Sequence, residues 1–471
     1  MGRMRCVICM LVLALVSAGC GARLDAAQKV AVSGARTSGG SQTGAAATGA
    51  GGPSSTAPAA AGTTGGGGGT AAIAATGGGA GDSGATGDVG AADAACVPSG
   101  GATDVGVTDT TITTGSVATV GGPVPGLFEN VQGGVKAYFN MINSTEGGVC
   151  GRKLIGQFSD DRLDASVNRS ATQDLKDKVL AYVGSYSVLD DAGSTVIAGS
   201  GIPDIGSSIG DARNAMAENF SMTPTSPDHS SLGNGPLMHY LQAHYNVSRA
   251  VMVWPAQADA RHSGQLFVKD MQAAGINVVD TLEVAVTETN YTGVAQKIAN
   301  DKADLLITVL EINGISRLAN AMQQVGYHPT VSMWGQQSYG QLLIKLAGPA
   351  VEGTILPLGH DIVENSANNP EVARFAEWFA RTNPSADLDF FAIQGWIAGS
   401  MFVKALKQAG AQPTRAKLMA ALQGFHDFDA DGLIPKTDVA GKTGSGCFHI
   451  VTIEGGVWKV VDPTSGFTCG P

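Results

Sequence analysis

At 471 residues the chain is long enough for more than one domain, and 29 Lys and Arg against 40 Asp and Glu leave a net charge of −11. That balance argues against nucleic acid as a partner, because a phosphate backbone is held by clustered cations. Reading from the first residue, Arg3 and Arg5 precede an apolar run from Cys6 to Val16. The run is too short to cross a bilayer as a stable helix, so residues 1–19 are predicted to be a cleaved export signal. From about Ser33 to Ala95 the chain is mostly Gly, Ala, Thr and Ser, with hardly an aromatic or large aliphatic residue and five consecutive glycines at Gly65 to Gly69. Such a segment buries too little apolar surface to offset its ordering entropy, so a disordered tether is predicted, with a root-mean-square span of roughly 40 Å.

Beyond the tether the hydrophobic pattern changes. Ser116 to Val120 and Lys153 to Phe158 suit strands, and between them Leu127, Val131, Val135, Tyr138 and Ile142 recur at helical spacing. This is a βαβ unit with a right-handed crossover, and Gly121, Gly122 and Pro123 fall at the carboxyl edge of its first strand. A helix within Asp164 to Val179 then leads to a buried strand, Leu180 to Val183, and the loop Gly184 to Ser187. Ile202 to Ile205 leads to a second polar loop, Gly206 to Ser208. Ligands of open α/β sheets bind outside the carboxyl ends of strands, which makes these loops candidates.

A second α/β pattern begins near His229, with predicted strands Ala250 to Trp254, Val278 to Val286, Asp304 to Val309 and Val331 to Trp334. Their strand-end loops are Pro255 to Gln257, Glu311 to Asn313 and Gly335 to Gln337. Gly353 to Leu358 reads as a return to the first domain, completed by helices Pro370 to Arg381, Phe390 to Gln408 and Thr414 to Leu422. A hairpin of Phe448 to Ile453 and Val457 to Val461, turned at Glu454-Gly455-Gly456, closes the pattern.

Several of these segments, in this order, resemble the opening of the type I periplasmic binding proteins, the leucine/isoleucine/valine-binding group that feeds ABC importers. They are Gly115 to Pro123, Gly134-Val-Lys-Ala-Tyr-Phe, Ile142-Asn143, Gly147-Gly148, Gly151-Arg152-Lys153 and Asp160-Asp161. The resemblance continues over roughly residues 106 to 462. It implies an α/β fold of two Rossmann-like lobes with parallel sheets, joined by a hinge that the chain crosses three times. Lobe 1 would comprise 106–226 and 357–424, and lobe 2 would comprise 227–356 and 425–471, after an anchor and linker over 20–95.

The resemblance also implies a ligand site. Ser185 and Ser187 from one loop, with Ser207 and Ser208 from the next, would hold the carboxylate and amino group of a bound amino acid beside Gly121 and Gly122. Gln257, Glu311 and Gln336 would contribute from the second lobe. Gln336 or Gln337 stands near the place where amino-acid binders carry an acid. That departure counts against a standard α-amino acid, with Glu311 a possible substitute for the missing charge and helix capping its alternative role. Tyr186, Trp254 and Trp334 lie at strand ends and are candidates for an apolar wall, with plain core packing as the alternative.

Ser17-Ala18-Gly19-Cys20 resembles a bacterial lipobox, although Ser17 departs from the usual aliphatic residue, so lipidation of Cys20 is expected. With Cys6, Cys9 and Cys20 set aside, Cys96, Cys150, Cys447 and Cys469 remain, an even count that outside the cytoplasm points to two disulfides. Three pairings are open; Cys96 with Cys150 and Cys447 with Cys469 are favoured because each pair brackets a compact segment. No metal or cofactor is expected. An enzyme reading rests on Gly206-Ser207-Ser208-Ile209-Gly210, which fits the G-x-S-x-G elbow with Ser208 as nucleophile, but Pro203 fits poorly in the central strand such an elbow needs. The resulting expectation is a monomeric cell-envelope lipoprotein, not an enzyme. It would close on a small polar solute, an amino acid or related amide or acid, and deliver it to an ABC permease. A sensor of the same fold is the alternative.

Overall fold

The computed structural model describes residues 100–123, 125–207, 209–226 and 232–470. The export signal, Cys20, the tether, Cys96 and Ser208 lie outside the described residues. Two sheets organise the rest. The first has strands β1 (Thr111–Ala118), β2 (Lys153–Asp160), β3 (Ala181–Ser185) and β4 (Asp204–Gly206), all parallel, in the order β2-β1-β3-β4. Each is reached by a helical crossover, so the carboxyl ends share one edge, and the strand order reverses between β1 and β3.

The second sheet runs β6-β5-β7-β8-β9-β10-β11, with β5 Arg249–Pro255, β6 Asn277–Val284, β7 Leu305–Thr308, β8 Val331–Trp334, β9 Ile355–Leu358, β10 Cys447–Glu454 and β11 Val457–Asp462. Strands β5 to β9 are parallel, and the antiparallel β10 and β11 form the expected hairpin. A short strand β12, Thr468–Cys469, pairs with β10, and Cys447 is disulfide-bonded to Cys469 there. Cys150 is also disulfide-bonded.

One boundary differs from the sequence reading. The segment expected to cross between domains is β9, which lies between β8 and β10 with all four residues buried. Burial on both faces favours a continuous apolar run, and Ile-Leu-Pro-Leu is such a run. The chain therefore leaves the second sheet only after Leu358. It then forms helices Pro370–Thr382, Phe390–Ala409 and Arg415–Leu422, the second packed on β3 and β4 and the other two packed against it, before returning at β10.

The helix Phe390–Ala409 is apolar around most of its surface, as befits an element enclosed on several sides. It crosses helix Glu129–Thr145 at Gly134 and Gly395, where a β-carbon on Gly134 would sit 2.1 Å from the Ala392 carbonyl oxygen. Around the crossing Trp396 stacks edge-on against Tyr138 at 4.7 Å and donates its indole N–H to Glu371 at 2.7 Å. Trp396 is thus core. Farther along, Lys442 donates to the Met216 carbonyl at 2.7 Å and to that of Asn214, fastening the last crossing segment to lobe 1.

Candidate functional site

Between the carboxyl edges of the two sheets lies a cavity of about 1330 Å³. Lobe 1 supplies Phe128, Tyr186, Phe391 and Gln394; lobe 2 supplies Gln257, Leu310, Glu311, Trp334 and Gln336. Asp389 caps the helix that begins at Phe390, accepting from the Ala392 amide at 2.8 Å, and this fixes Phe390, Phe391 and Gln394 on its first turns. Phe391 meets Phe128 at 5.0 Å and Tyr186 at 5.5 Å, while Phe128 and Tyr186 stand 4.8 Å apart. These three rings make an apolar floor.

Of the strand-end groups expected to line the site, Tyr186, Gln257, Glu311 and Gln336 are on the cavity wall. Trp334 is there too, whereas Trp254 packs elsewhere and donates to Glu283 at 3.2 Å. The structure does not bring Gly121, Gly122, Ser185, Ser187 or Ser207 to the wall, and their local bonding explains why. The Gly121 amide donates to Asp160 at 3.0 Å; Gly122, with φ of +93°, backs onto the Arg162 carbonyl. Ser185 Oγ accepts from the Val117 amide at 3.1 Å, and Ser187 Oγ accepts from the Leu189 amide at 3.0 Å and lies 3.2 Å from Thr119 Oγ1. Ser207 Oγ donates to the buried carboxylate of Asp190 at 2.5 Å. The hydroxyls close strand ends and loops internally, which is the ordinary use of Ser beside a turn.

Beneath those loops is a buried ionic cluster. Arg213 donates from Nε and Nη2 to the two oxygens of Asp204, at 2.9 and 2.5 Å, and its Nη1 lies 3.8 Å from Asp190. Burial pushes the Asp190 carboxyl up to about 7 despite the pull of Arg213 and Ser207. The cluster supports the loops and is off the cavity wall.

On the facing lobe, Glu311 turns out to be a helix cap. Its two oxygens accept from the Asn313 amide at 2.7 Å and the Gly314 amide at 2.6 Å, at the start of helix Ile312–Val325. Gln336 Oε1 accepts from the Gly359 amide at 3.3 Å, and Gln337 Nε2 donates to the Leu310 carbonyl at 3.0 Å.

Sequence reading missed the floor rings Phe128 and Phe391, Leu310, and the polar wall residues His360 and Gln394, and it counted Trp334 only as apolar surface. Trp334, His360 and Gln394 are about 1% exposed, and each holds a polar atom with no hydrogen-bond partner among the described residues: Trp334 Nε1, His360 Nε2 and Gln394 Oε1. Thr225 Oγ1 and Asn234 Nδ2 on the same wall are unpaired among the described residues as well. Leaving such a group unpaired costs about 1–3 kcal/mol, so a wall that carries five of them requires an explanation. Trp334 ends β8, His360 follows β9, and Gln394 lies on the first turns of the capped helix, all three on the wall of the same cavity. The Gly359 amide ties the end of β9 to Gln336 just past β8, the His360 ring lies 5.6 Å from Phe390 and 5.7 Å from Tyr339, and Gln394 is one turn beyond Phe390. A Gln four residues after a Phe at a capped helix start is the signal that sequence offered for Gln394.

The lobes also meet at the cavity's rim. Asn130 of lobe 1 donates to Asp389 at 2.8 Å, while Asp389 pairs through its backbone with Gly340, and the Phe390 amide donates to the Tyr339 carbonyl at 3.1 Å.

A shared cavity between two parallel-sheet lobes is the geometry of a solute trap, and the sequence comparison agrees: residues 111–457 match the model of the periplasmic binding protein family. The chain belongs to that family. Its members bind solutes and are not enzymes, and the fold is the two-lobed type I form. None of the functionally curated proteins matches the sequence. Among solved structures, a fatty acid ABC transporter substrate-binding protein from Thermomonospora curvata is 20% identical, with a TM-score of 0.64 over 76% of this chain and 93% of that one. A solute-binding protein of an R. palustris ABC transporter, in complex with benzoate, is 20% identical, with a TM-score of 0.63 over 76% and 98%. A branched-chain amino acid ABC transporter protein from Thermus thermophilus with bound valine is 15% identical, with a TM-score of 0.64 over 77% and 97%. Among the described residues no helix is long and apolar enough to cross a membrane, and no cluster of side chains is arranged to hold a metal.

Proposed function

We propose that this binding protein closes its lobes on a small organic solute and presents it to an ABC-type permease, working as a monomer held at the envelope by a lipid on Cys20. The observation that carries the reading is the composition of the cavity wall, which draws Tyr186 and Phe391 from one lobe and Leu310, Trp334 and Gln336 from the other. A solute that touches both lobes stabilises the closed arrangement over the open one, and a permease that distinguishes the two arrangements responds to the loaded protein. Tyr186, Gln257, Glu311 and Gln336 are the ligand contacts among the residues first singled out, and the second exported disulfide joins Cys96 to Cys150. The similarity to ABC transporter substrate-binding proteins supports the choice of partner.

The test combines thermal shift against a solute panel with small-angle scattering of each stabilising pair. A solute that raises Tm and contracts the particle, and whose uptake is lost in a deletion strain, supports the reading. Unimpaired uptake in that strain overturns the transport role.

A further inference from the structure

The wall is short of charge in a way that limits what can bind. Lys136 is the sole Lys or Arg among the described residues of the wall, and its Nζ stands 4.5 Å from the centre of the Phe158 ring. An anionic head group therefore finds no guanidinium there. Glu311, the acid placed to meet an ammonium, has both oxygens committed to backbone amides.

Three of the unpaired wall groups, at Trp334, His360 and Gln394, define a pattern instead. His360 is buried and its imidazole is held down at about 4 by desolvation, so the ring is neutral near pH 7. Its Nδ1 lies 2.8 Å from the Asp361 carbonyl oxygen, which requires the proton on Nδ1 and leaves Nε2 a bare acceptor. Gln394 Oε1 is a second acceptor, and Trp334 Nε1–H is a donor. A carboxylate, which only accepts, would leave both acceptors opposed. An ammonium, which only donates, would leave the indole N–H unmet. A carboxamide has one acceptor and two donors and matches all three.

We propose that the solute is an uncharged molecule with an apolar body and a carboxamide-type head, the head read by Trp334, His360 and Gln394 and the body seated on Phe128, Tyr186 and Phe391. The inference rests on the solute-binding reading above and narrows it.

Calorimetry on matched triplets tests it: hexanamide, hexanoate and norleucine, then phenylacetamide, phenylacetate and phenylglycine. Each amide is expected to bind at least about ten-fold more tightly than its carboxylate and its amino acid. Trp334→Phe and Gln394→Met are expected to weaken amide binding about ten-fold without lowering Tm, because each removes an unpaired buried atom; a merely structural role would lower Tm and spare affinity. The ranking in the unaltered protein stands as a test even where a variant fails to fold. Equal or tighter binding of a carboxylate or amino acid overturns the proposal and leaves solute binding intact. So does contraction on some other solute when all six fail to bind. Failure of every solute to contract the particle overturns both.

Discussion

Gly134 and Gly395 touch backbone to backbone where their helices cross: a β-carbon on Gly134 would stand 2.9 Å from the Gly395 α-carbon, and one on Gly395 would stand 1.9 Å from the Val131 carbonyl oxygen. The crossing holds the helix whose first turns carry Phe391 and Gln394 into the cavity wall. Gly134→Ala or Gly395→Ala is expected to cost about 3 kcal/mol or more in urea unfolding, because the obstacle is main chain and cannot rotate away. Gly293→Ala serves as the contrast. It lies in helix Thr292–Asn300 with nothing within 4 Å of the new methyl, and a gain of roughly 0.5–1 kcal/mol is expected there.

Removing Arg213 leaves two buried carboxylates, Asp204 and Asp190, without their cation. Arg213→Met should therefore destabilise the protein by about 3–5 kcal/mol, far more than loss of an exposed pair such as Lys459 with Glu454. Chemical denaturation of the two variants side by side measures the contrast.

The buried imidazole of His360 gives a pH signature. Its folded pKa of about 4 lies below the ordinary value near 6.5, so as pH falls through that interval the unfolded chain takes up a proton that the folded chain refuses. Stability is lost on acidification, and burial holds His449 below its usual range in the same sense. Asp190 acts oppositely. Its carboxyl is raised to about 7, so its penalty is absent at pH 4 and grows as pH rises toward 7. Comparing unaltered protein with His360→Gln isolates the first effect: the variant should gain, relative to the parent, on the order of 3 kcal/mol between pH 6.5 and pH 4.

The bond between Cys447 and Cys469 spans 22 residues and secures β12 against β10. In the chain-entropy account a loop of that length is worth about 3 kcal/mol. Cys447→Ser with Cys469→Ser should lower stability by roughly that amount, and peptide mapping of the unreduced parent should recover the two cysteines linked.

The fold was legible because parallel strands covered on both faces announce themselves as short apolar runs. Val331 to Trp334 was placed to the residue, and the helices from Pro370 onward to within about one residue at their ends. Ile355 to Leu358 was misplaced because an apolar run states that a segment is buried, not which sheet buries it. The site was harder to read. Serine at a strand end looks the same whether its hydroxyl faces a solute or, as at Ser185, a neighbouring amide. His360 gave no warning, and the helical spacing that marks Gln394 says nothing of its role, since what sets both apart is the absence of a partner in space, and a linear string carries no record of that.

The contacts that Asp389 and Phe390 make with Gly340 and Tyr339 bear on how a solute enters. They stitch the two halves along one border, so parting there would break both main-chain pairings together. Movement that spares them is rotation about that border, like a book turning on its spine. The mouth must then gape on the far side, and the rings of Phe390 and Phe391, nearest the spine, travel least as it shuts.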